Sequence, residues 1–374
     1  MRCAGLVALL VSSCSCVTQQ GQDSGVDASI VDASVTDAAI VDAGDGSLHV
    51  LDVTPPEGWA DGGAISWRVL SFEEICPGEG SPRRPRINSH GTALVGCEPD
   101  GGWIRDDVLA LSDGGLIRVA LEQRTYLLLD DDTYWHRAED PSVEPYSYRR
   151  GLDGSVVQRL EYFTVYSATQ SGWISLRHWG TWDGELYEVI GPDGGVWPRE
   201  GTNGYIVDFN EDGIGIGPTF PRKAIRVWRD GKEQINDYVA GACAPLDINE
   251  SNVIVGERVD PAIRATVFWG KQYNEAVVPV GDRSTFWKIN NSNVAVGLAQ
   301  EENRATRAIG WGIAWARGRT VLLDDLMRDA GIDCIIQSAT DINDSNQVVG
   351  VANCGDGGSN YYSTYRMRLG VAFD

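Results

Sequence analysis

One short pattern returns along this chain and limits its fold more than any other feature. An apolar residue precedes Asn, two polar residues follow, then Gly or Asn, then a β-branched run that closes on Gly. The copies are Ile87-Asn88-Ser89-His90-Gly91…Gly96, Phe209-Asn210-Glu211-Asp212-Gly213…Gly217, Ile248-Asn249-Glu250-Ser251-Asn252…Gly256, Ile289-Asn290-Asn291-Ser292-Asn293…Gly297 and Ile342-Asn343-Asp344-Ser345-Asn346…Gly350. Two looser copies fill the gap, Leu129-Asp130-Asp131-Asp132-Thr133 and Ala168-Thr169-Gln170-Ser171-Gly172. The second position then falls at Asn88, Asp130, Thr169, Asn210, Asn249, Asn290 and Asn343, in steps of 39 to 42 residues with a last step of 53. A fixed period of this size marks a repeated supersecondary unit that cannot bury its faces alone and must stack on its neighbours.

Each position has a local reason. The apolar residue ends an inward-facing strand. Asn or Asp folds its side chain onto the following backbone and starts a turn. Gly or Asn three residues on accepts positive φ. Val253-Ile254-Val255 is typical of the second strand, and its closing Gly suits a close approach of backbones. A third strand carries aromatics, as in Arg226-Val227-Trp228, Val267-Phe268-Trp269 and Ile313-Ala314-Trp315. Hairpin signals follow at Asp113-Gly114, Asp153-Gly154, Asp193-Gly194 and Asp230-Gly231, and then a fourth strand such as Leu116–Val119 or Thr320–Leu323. Four strands in about 40 residues make one propeller blade. The sequence therefore predicts an all-β, seven-bladed β-propeller of four-stranded blades. The last repeat lacks its fourth strand, and Ile65–Leu70 is expected to supply it and close the ring. A strand over Leu48–Val53 has no assigned place.

The motifs resemble HAF repeats, a family of exported bacterial repeats with the pattern A-x-x-I-N-x-x-G-x-x-V-G and then an aromatic strand ending in Trp. The nearest match is Leu322-Leu323-Asp324-Asp325-Leu326…Ala339-Thr340-Asp341-Ile342-Asn343…Val348-Val349-Gly350. The likeness runs over 205–351 and more loosely over 80–200; Asn often replaces the turn Gly here. It implies a propeller-like extracellular protein and carries over no enzyme activity or catalytic set.

The N-terminal region reads differently. Residues 1–13, MRCAGLVALLVSS, have one base, a short apolar run and then small residues, the order of a signal peptide. Val11-Ser12-Ser13-Cys14 resembles a bacterial lipobox, which implies lipidation at Cys14 and a lipid in place of a membrane helix. Cys16 is a weaker alternative. Residues 14–46 hold Asp27, Asp32, Asp37 and Asp42 at every fifth place. That period matches neither helix nor strand, so the segment reads as a disordered, self-repelling tether without the clustered spacing of a calcium loop. The propeller occupies 47–374.

Cysteine usage agrees with export. Cys76 and Cys97 flank the first repeat as Cys334 and Cys354 flank the last, in loops that a propeller brings to one face, so Cys76–Cys97 and Cys334–Cys354 disulfides are expected. Cys243 is left either as a thiol or paired elsewhere.

The formal net charge is −22, which excludes a basic nucleic-acid face. Six acids and one base lie in 1–46, leaving 47 acids against 30 bases on the body. The four histidines, His49, His90, His136 and His178, belong to no metal or catalytic motif. Acidic runs such as Asp106-Asp107, Asp130-Asp131-Asp132 and Asp324-Asp325 are the raw material of a glycosidase, yet so acidic a chain produces them without function. Trp103, Trp135, Trp173, Trp182 and Trp197 suit core packing better than sugar stacking. The basic run Arg83-Arg84-Pro85-Arg86 is expected to pair with surrounding acids. No cofactor or metal is called for. The reading is a monomeric, lipid-anchored envelope protein of the bacterial outer membrane or cell surface that binds a protein or glycan. The alternatives are a secreted polysaccharide hydrolase or lyase and a purely structural surface protein.

Overall fold

The computed structural model describes residues 64–373 except 77–83, 98–105, 120–122, 139–145, 162, 179–186, 200–204, 220–223, 230–231, 237–242, 260–261, 271, 302–309 and 356–361. Cys14, the aspartate-rich segment and Leu48–Val53 lie outside the described residues. No described helix is long and apolar enough to cross a membrane.

The body is a seven-bladed β-propeller. Seven four-stranded antiparallel sheets follow one another along the chain. Blade 1 consists of Arg86–Ile87, Ala93–Cys97, Asp106–Ala110 and Leu116–Arg118. Blade 2 runs from Gln123 to Glu161, blade 3 from Phe163 to Arg199, blade 4 from Asp208 to Asn236, blade 5 from Cys243 to Glu275 and blade 6 from Arg283 to Leu322. Blade 7 takes Ile335–Ile342, Gln347–Asn353 and Ser363–Phe373, and its outer strand is Ile65–Cys76 from the other end of the chain. That strand pairs antiparallel from Ile65↔Phe373 to Cys76↔Thr364, which is the closure expected from the sequence, extended by six residues.

The hydrophobic core is divided into seven clusters, one at each blade interface. Val253, Phe286 and Trp315 lie between blades 5 and 6, and Ile216, Val227 and Phe268 between blades 4 and 5. Trp173, Trp197, Phe209 and Trp228 pack together between blades 3 and 4. The period-two alternation of each strand presents one apolar face to each neighbour, so every blade depends on both. The closing glycines have a steric reason: a Cβ on Gly256 would lie 2.1 Å from Ala244 O of the inner strand, and one on Gly297 would lie 1.9 Å from Thr285 O.

The extra length before the last repeat forms the helix Leu323–Asp329, which the strand pattern had hidden. Both expected disulfides are present. Cys76–Cys97 ties the outer strand of blade 7 to blade 1, and Cys334–Cys354 ties the two ends of the inner pair of blade 7. Arg366, nearly buried, fastens the same seam. Its Nε and Nη2 donate to Glu73 Oε2 at 3.1 and 2.6 Å, and its Nη1 donates to Gly91 O and Leu111 O of blade 1.

Candidate binding site at the axis

The repeated turn builds the site. Each inner strand ends at a turn whose fourth residue is left-handed: Gly91, Asp132, Gly172, Gly213, Asn252, Asn293 and Asn346, with φ from 56° to 102°. In blade 5, Asn249 Oδ1 accepts Ser251 N at 3.1 Å and Val253 N at 3.0 Å, which closes the turn. Its Nδ2 donates onward to Asn290 O at 2.9 Å and Asn293 Oδ1 at 2.8 Å in blade 6. Asn290 does the same to Asn343 O and Asn346 Oδ1 of blade 7, and Asn343 Nδ2 reaches Asn88 O of blade 1 across the ring closure. Asn88 and Asn210 donate in the same way to blades 2 and 5. Thr169 keeps the turn through its Oγ1, which accepts Trp173 N at 3.0 Å.

Blade 2 departs from the sequence reading. The turn position is Leu129, not Asp130: Leu129 N donates to Thr133 O and Asp132 N to Leu129 O, as the turn residues do elsewhere. Leucine offers no side-chain acceptor, so its packing against Trp135 holds the place, and the neighbouring Asp130 imitates the motif one residue late.

Asp130 belongs instead to a second belt, formed by the residue after each turn position. Ser89 N donates to Asp130 Oδ1, Gln170 N to Glu211 Oε1, Glu211 N to Glu250 Oε1, Glu250 N to Asn291 Oδ1 and Asn291 N to Asp344 Oδ1, all between 2.7 and 3.0 Å. These exposed side chains ring the mouth of the channel. The carboxylates therefore join blades while one face of each stays in water.

A third belt lies deeper, two residues before each turn position: Arg86, Leu127, Ser167, Asp208, Asp247, Lys288 and Asp341. Bulges in the inner strands next to Leu127, Ser167, Asp247, Lys288 and Asp341 help to aim these side chains at the axis. Together with the turns they line a cavity of about 230 Å³ to which all seven blades contribute. Lys288 Nζ donates to Asp247 Oδ1 at 2.6 Å and to Asp208 Oδ2 at 2.7 Å, so blade 6 reaches across blade 5 to blade 4. Ser167 Oγ donates to Asp208 Oδ1, Ile289 N to Asp247 Oδ2, and Ile87 N and Ile342 N to the two oxygens of Asp341. Every oxygen of the three channel carboxylates thus already has a partner. Burial works against all three acids; the Lys288 cation and the bond from Ser167 overcome it at Asp208, which sits well below the usual range. At Asp247 burial and the adjacent Asp208 charge win, and its pKa is raised. Burial lowers the Lys288 ammonium's pKa, but the carboxylates of Asp208, Asp247 and Asp341 more than restore it. Arg86 is the belt's other cation, and its charge works against the burial that raises the Asp341 carboxyl's pKa. Its neighbour in sequence, Arg84, stacks over Trp287 of blade 6 at 4.5 Å. Of the basic run, Arg84 also feels the charge of Glu257 and Arg86 acts on Asp341, so both described arginines stand near acids, as expected, with Arg86 doing so inside the cavity.

Other expected residues fall outside the site. His136 is wholly buried in the second strand of blade 2, where Arg150 Nε donates to its Nε2 and Tyr148 stacks on it at 5.2 Å. Trp135 is buried, and Trp173 and Trp197 belong to the blade 3–4 interface. Cys243 is a buried thiol in neither bridge, its pKa pushed up to about 11 by burial. Among the described residues no group of three or more His, Cys, Asp or Glu is placed to hold a metal ion. Sequence reasoning missed the third belt, although a signal existed: Asp precedes the apolar-Asn pair in Asp208-Phe209-Asn210, Asp247-Ile248-Asn249 and Asp341-Ile342-Asn343.

No family model matches the chain. No curated protein matches it either. Solved structures do. The β-propeller domain of the Trilobed protease from Pyrococcus furiosus superposes with a TM-score of 0.52 at 9% identity, over 76% of this chain and 92% of that one. An acylaminoacyl peptidase in complex with Z-Gly-Gly-Phe-chloromethyl ketone gives 0.53 at 11% identity, over 78% of this chain and 52% of that one. The Pyrococcus horikoshii acylaminoacyl peptidase gives 0.52 at 11% identity, over 73% and 49%. The likeness is one of fold. This chain spans about half the length of those two peptidases. The Trilobed protease domain is described as having an open velcro topology, whereas here the N-terminal strand closes the last blade.

Proposed function

We propose that this chain is an exported, lipid-anchored HAF-like propeller of the bacterial envelope that serves as a binding module for a protein or glycan, using the face that carries the repeated turns. The observation that carries this reading is the axial cavity: seven blades line it, its carboxylates are committed to holding the blades together, and Arg86, which balances Asp341, is the lining cation that would meet a ligand. The two disulfides fit an oxidising compartment, and Val11-Ser12-Ser13-Cys14 supports the anchor. A binding screen of residues 47–374 against envelope glycans and envelope extracts tests it. Binding should weaken about tenfold in Arg86→Ala, the loss of a charge-assisted hydrogen bond; no binding from either source refutes the reading. Mass spectrometry of the mature protein should find diacylglycerol on Cys14.

One observation favours the hydrolase or lyase alternative. Asp208 and Asp247 are neighbours pushed in opposite directions, as an acid and a base would be. Both accept from Lys288, and no Trp lines the cavity. Release of sugar from envelope polysaccharide, lost in Asp247→Asn, would establish that alternative in place of the binding module.

A further inference from the structure

The amide of the turn asparagine reaches into the next blade at five of the seven seams. Two seams are built without it. Between blades 3 and 4 the turn residue is Thr169, whose hydroxyl is occupied within its own turn by Ser171 Oγ and Trp173 N. Aromatic rings fill that seam instead: Trp173, Trp197, Phe209 and Trp228 pack into it, and a Cβ on Gly213 would lie 2.2 Å from the Trp173 ring. Between blades 2 and 3 the turn residue is Leu129, which has no amide to give. This seam holds a pocket of about 250 Å³ that takes in both turns, at Leu129, Thr169 and Gly172. Blade 3 supplies an aliphatic wall, Ile174 and Ile190. Blade 2 supplies a row of cross-strand partners, Trp135, Arg149 and Gln158, which the register sets on one face. Trp135 is 1% exposed, and its Nε1 is a buried donor without an acceptor among the described residues. Native interiors rarely leave such a donor unpaired. Arg149 commits two of its three nitrogens, Nε to Thr133 Oγ1 at 2.8 Å and Nη2 to Asp131 Oδ2 at 2.6 Å, and Asp131 balances its charge.

We infer that the seam between blades 2 and 3 binds the N-acyl group of an amino sugar, whose amide takes the place of the absent asparagine side chain. The inference rests on the reading of this chain as a binding module and gives its glycan a second seat beside the axial cavity. In the bridged seams an amide N–H meets the carbonyl of the next turn residue, as Asn249 Nδ2 meets Asn290 O and Asn290 Nδ2 meets Asn343 O. The acyl amide N–H would meet Thr169 O in that way. Its carbonyl would accept from the donors of the blade 2 row, Trp135 Nε1 and Arg149, and its methyl group would lie against Ile174 and Ile190. Gln158, both donor and acceptor, suits the hydroxyls of the ring. A neutral amide fits better than a carboxylate, because Asp131 already balances Arg149. The size agrees: an apolar cavity of about 150 Å³ holds one benzene ring, so the acyl group and the adjoining edge of one sugar fill this pocket.

Calorimetric titration of the full chain with the β-1,4-linked trimer of N-acetylglucosamine should show binding. The corresponding glucose trimer, equally uncharged but without the acyl amide, should bind at least about tenfold more weakly. In saturation-transfer NMR the acetyl methyl protons should take up the most signal. Leu129→Asn returns the amide of the repeat to this seam, and it should weaken binding of the acetylated trimer at least about tenfold while Tm stays level or rises. Arg149→Met should weaken binding to a similar degree, and it carries the test if Leu129→Asn does not fold. Absence of binding by the acetylated trimer, equal binding of the two trimers, or binding that neither substitution moves overturns the inference. So does N-acetylalanine methylamide binding as tightly as the acetylated trimer, which would make the ligand a peptide. The binding-module reading is judged separately by the envelope screen: a ligand found there and indifferent to Leu129→Asn and Arg149→Met would leave that reading standing without this one.

Discussion

At the scale of the residue, the turn asparagine does two tasks with one side chain. Its oxygen closes its own turn and its amide reaches the next blade, so losing it removes bonds on both sides of an interface. Asn249→Ala leaves Val253 N and Asn290 O short of a partner in a buried setting, and the expected loss is about 2–4 kcal/mol, read by calorimetry. The turn at blade 3, which runs on Thr169, should tolerate Thr169→Asn far better. The chemistry of this position was legible in the sequence wherever the side chain carries the turn. It was illegible at Leu129, because there the backbone alone makes the turn and apolar packing holds it. The same limit hid Asp324. Burial pushes its carboxyl up to about 6, although it still accepts Ile336 N. A carboxyl whose folded pKa is raised costs stability once it ionises, so its favourable contribution is present at low pH and lost as pH rises through about 6. Asp324→Asn should therefore raise Tm at pH 7.5, with the difference closing as the pH falls to about 4; an unchanged gap across that range would count against the assignment.

At the scale of the element, strand patterns announce themselves through alternation and turn residues, which is why the blades and the closing strand could be read from the chain. The helix Leu323–Asp329 could not. It is short, lies between two strands and has only Leu323, Leu326 and Met327 buried, too few to establish a helical period. The channel side chains were hidden for a different reason: a bulge changes the side to which a strand residue points, and no sequence alternation records it. The closing strand raises a question of retention, since it is held to its blade by one ladder and by few sequence-local contacts. Two disulfides bracket that blade, closing loops with separations of 21 and 20 residues. Loops of that size are worth about 3 kcal/mol each in the chain-entropy account. Cys76→Ser with Cys97→Ser should lower stability by about that amount. In hydrogen exchange after the substitution, the amides of Ile65–Cys76 and Ser363–Phe373 should open before those of blades 4 to 6; uniform opening would mean that the seam is not the weak point.

At the scale of the whole molecule, the axis decides whether the blades act as one body. A propeller built only of neighbour contacts behaves like a bent one-dimensional array. Lys288 breaks that rule by binding Asp208 two blades away as well as Asp247 in the next blade. Lys288→Met removes the cation that bonds two buried carboxylates while keeping the length of the stem. Breaking a buried pair in this way costs about 3–5 kcal/mol at neutral pH. The contribution of Asp208 to the pH dependence should also change sign. In the parent, Asp208 is held below its usual pKa, so its contribution is present above the unfolded pKa and lost as acid is added. In Lys288→Met both acids are left with burial and mutual repulsion, their folded pKa values rise, and the variant should regain stability as the pH falls from 7 toward 4. Denaturant melts of parent and variant over that range measure the two slopes directly. Parallel slopes would show that the carboxylates are solvated, and that the belt at the axis contributes nothing to joining the blades.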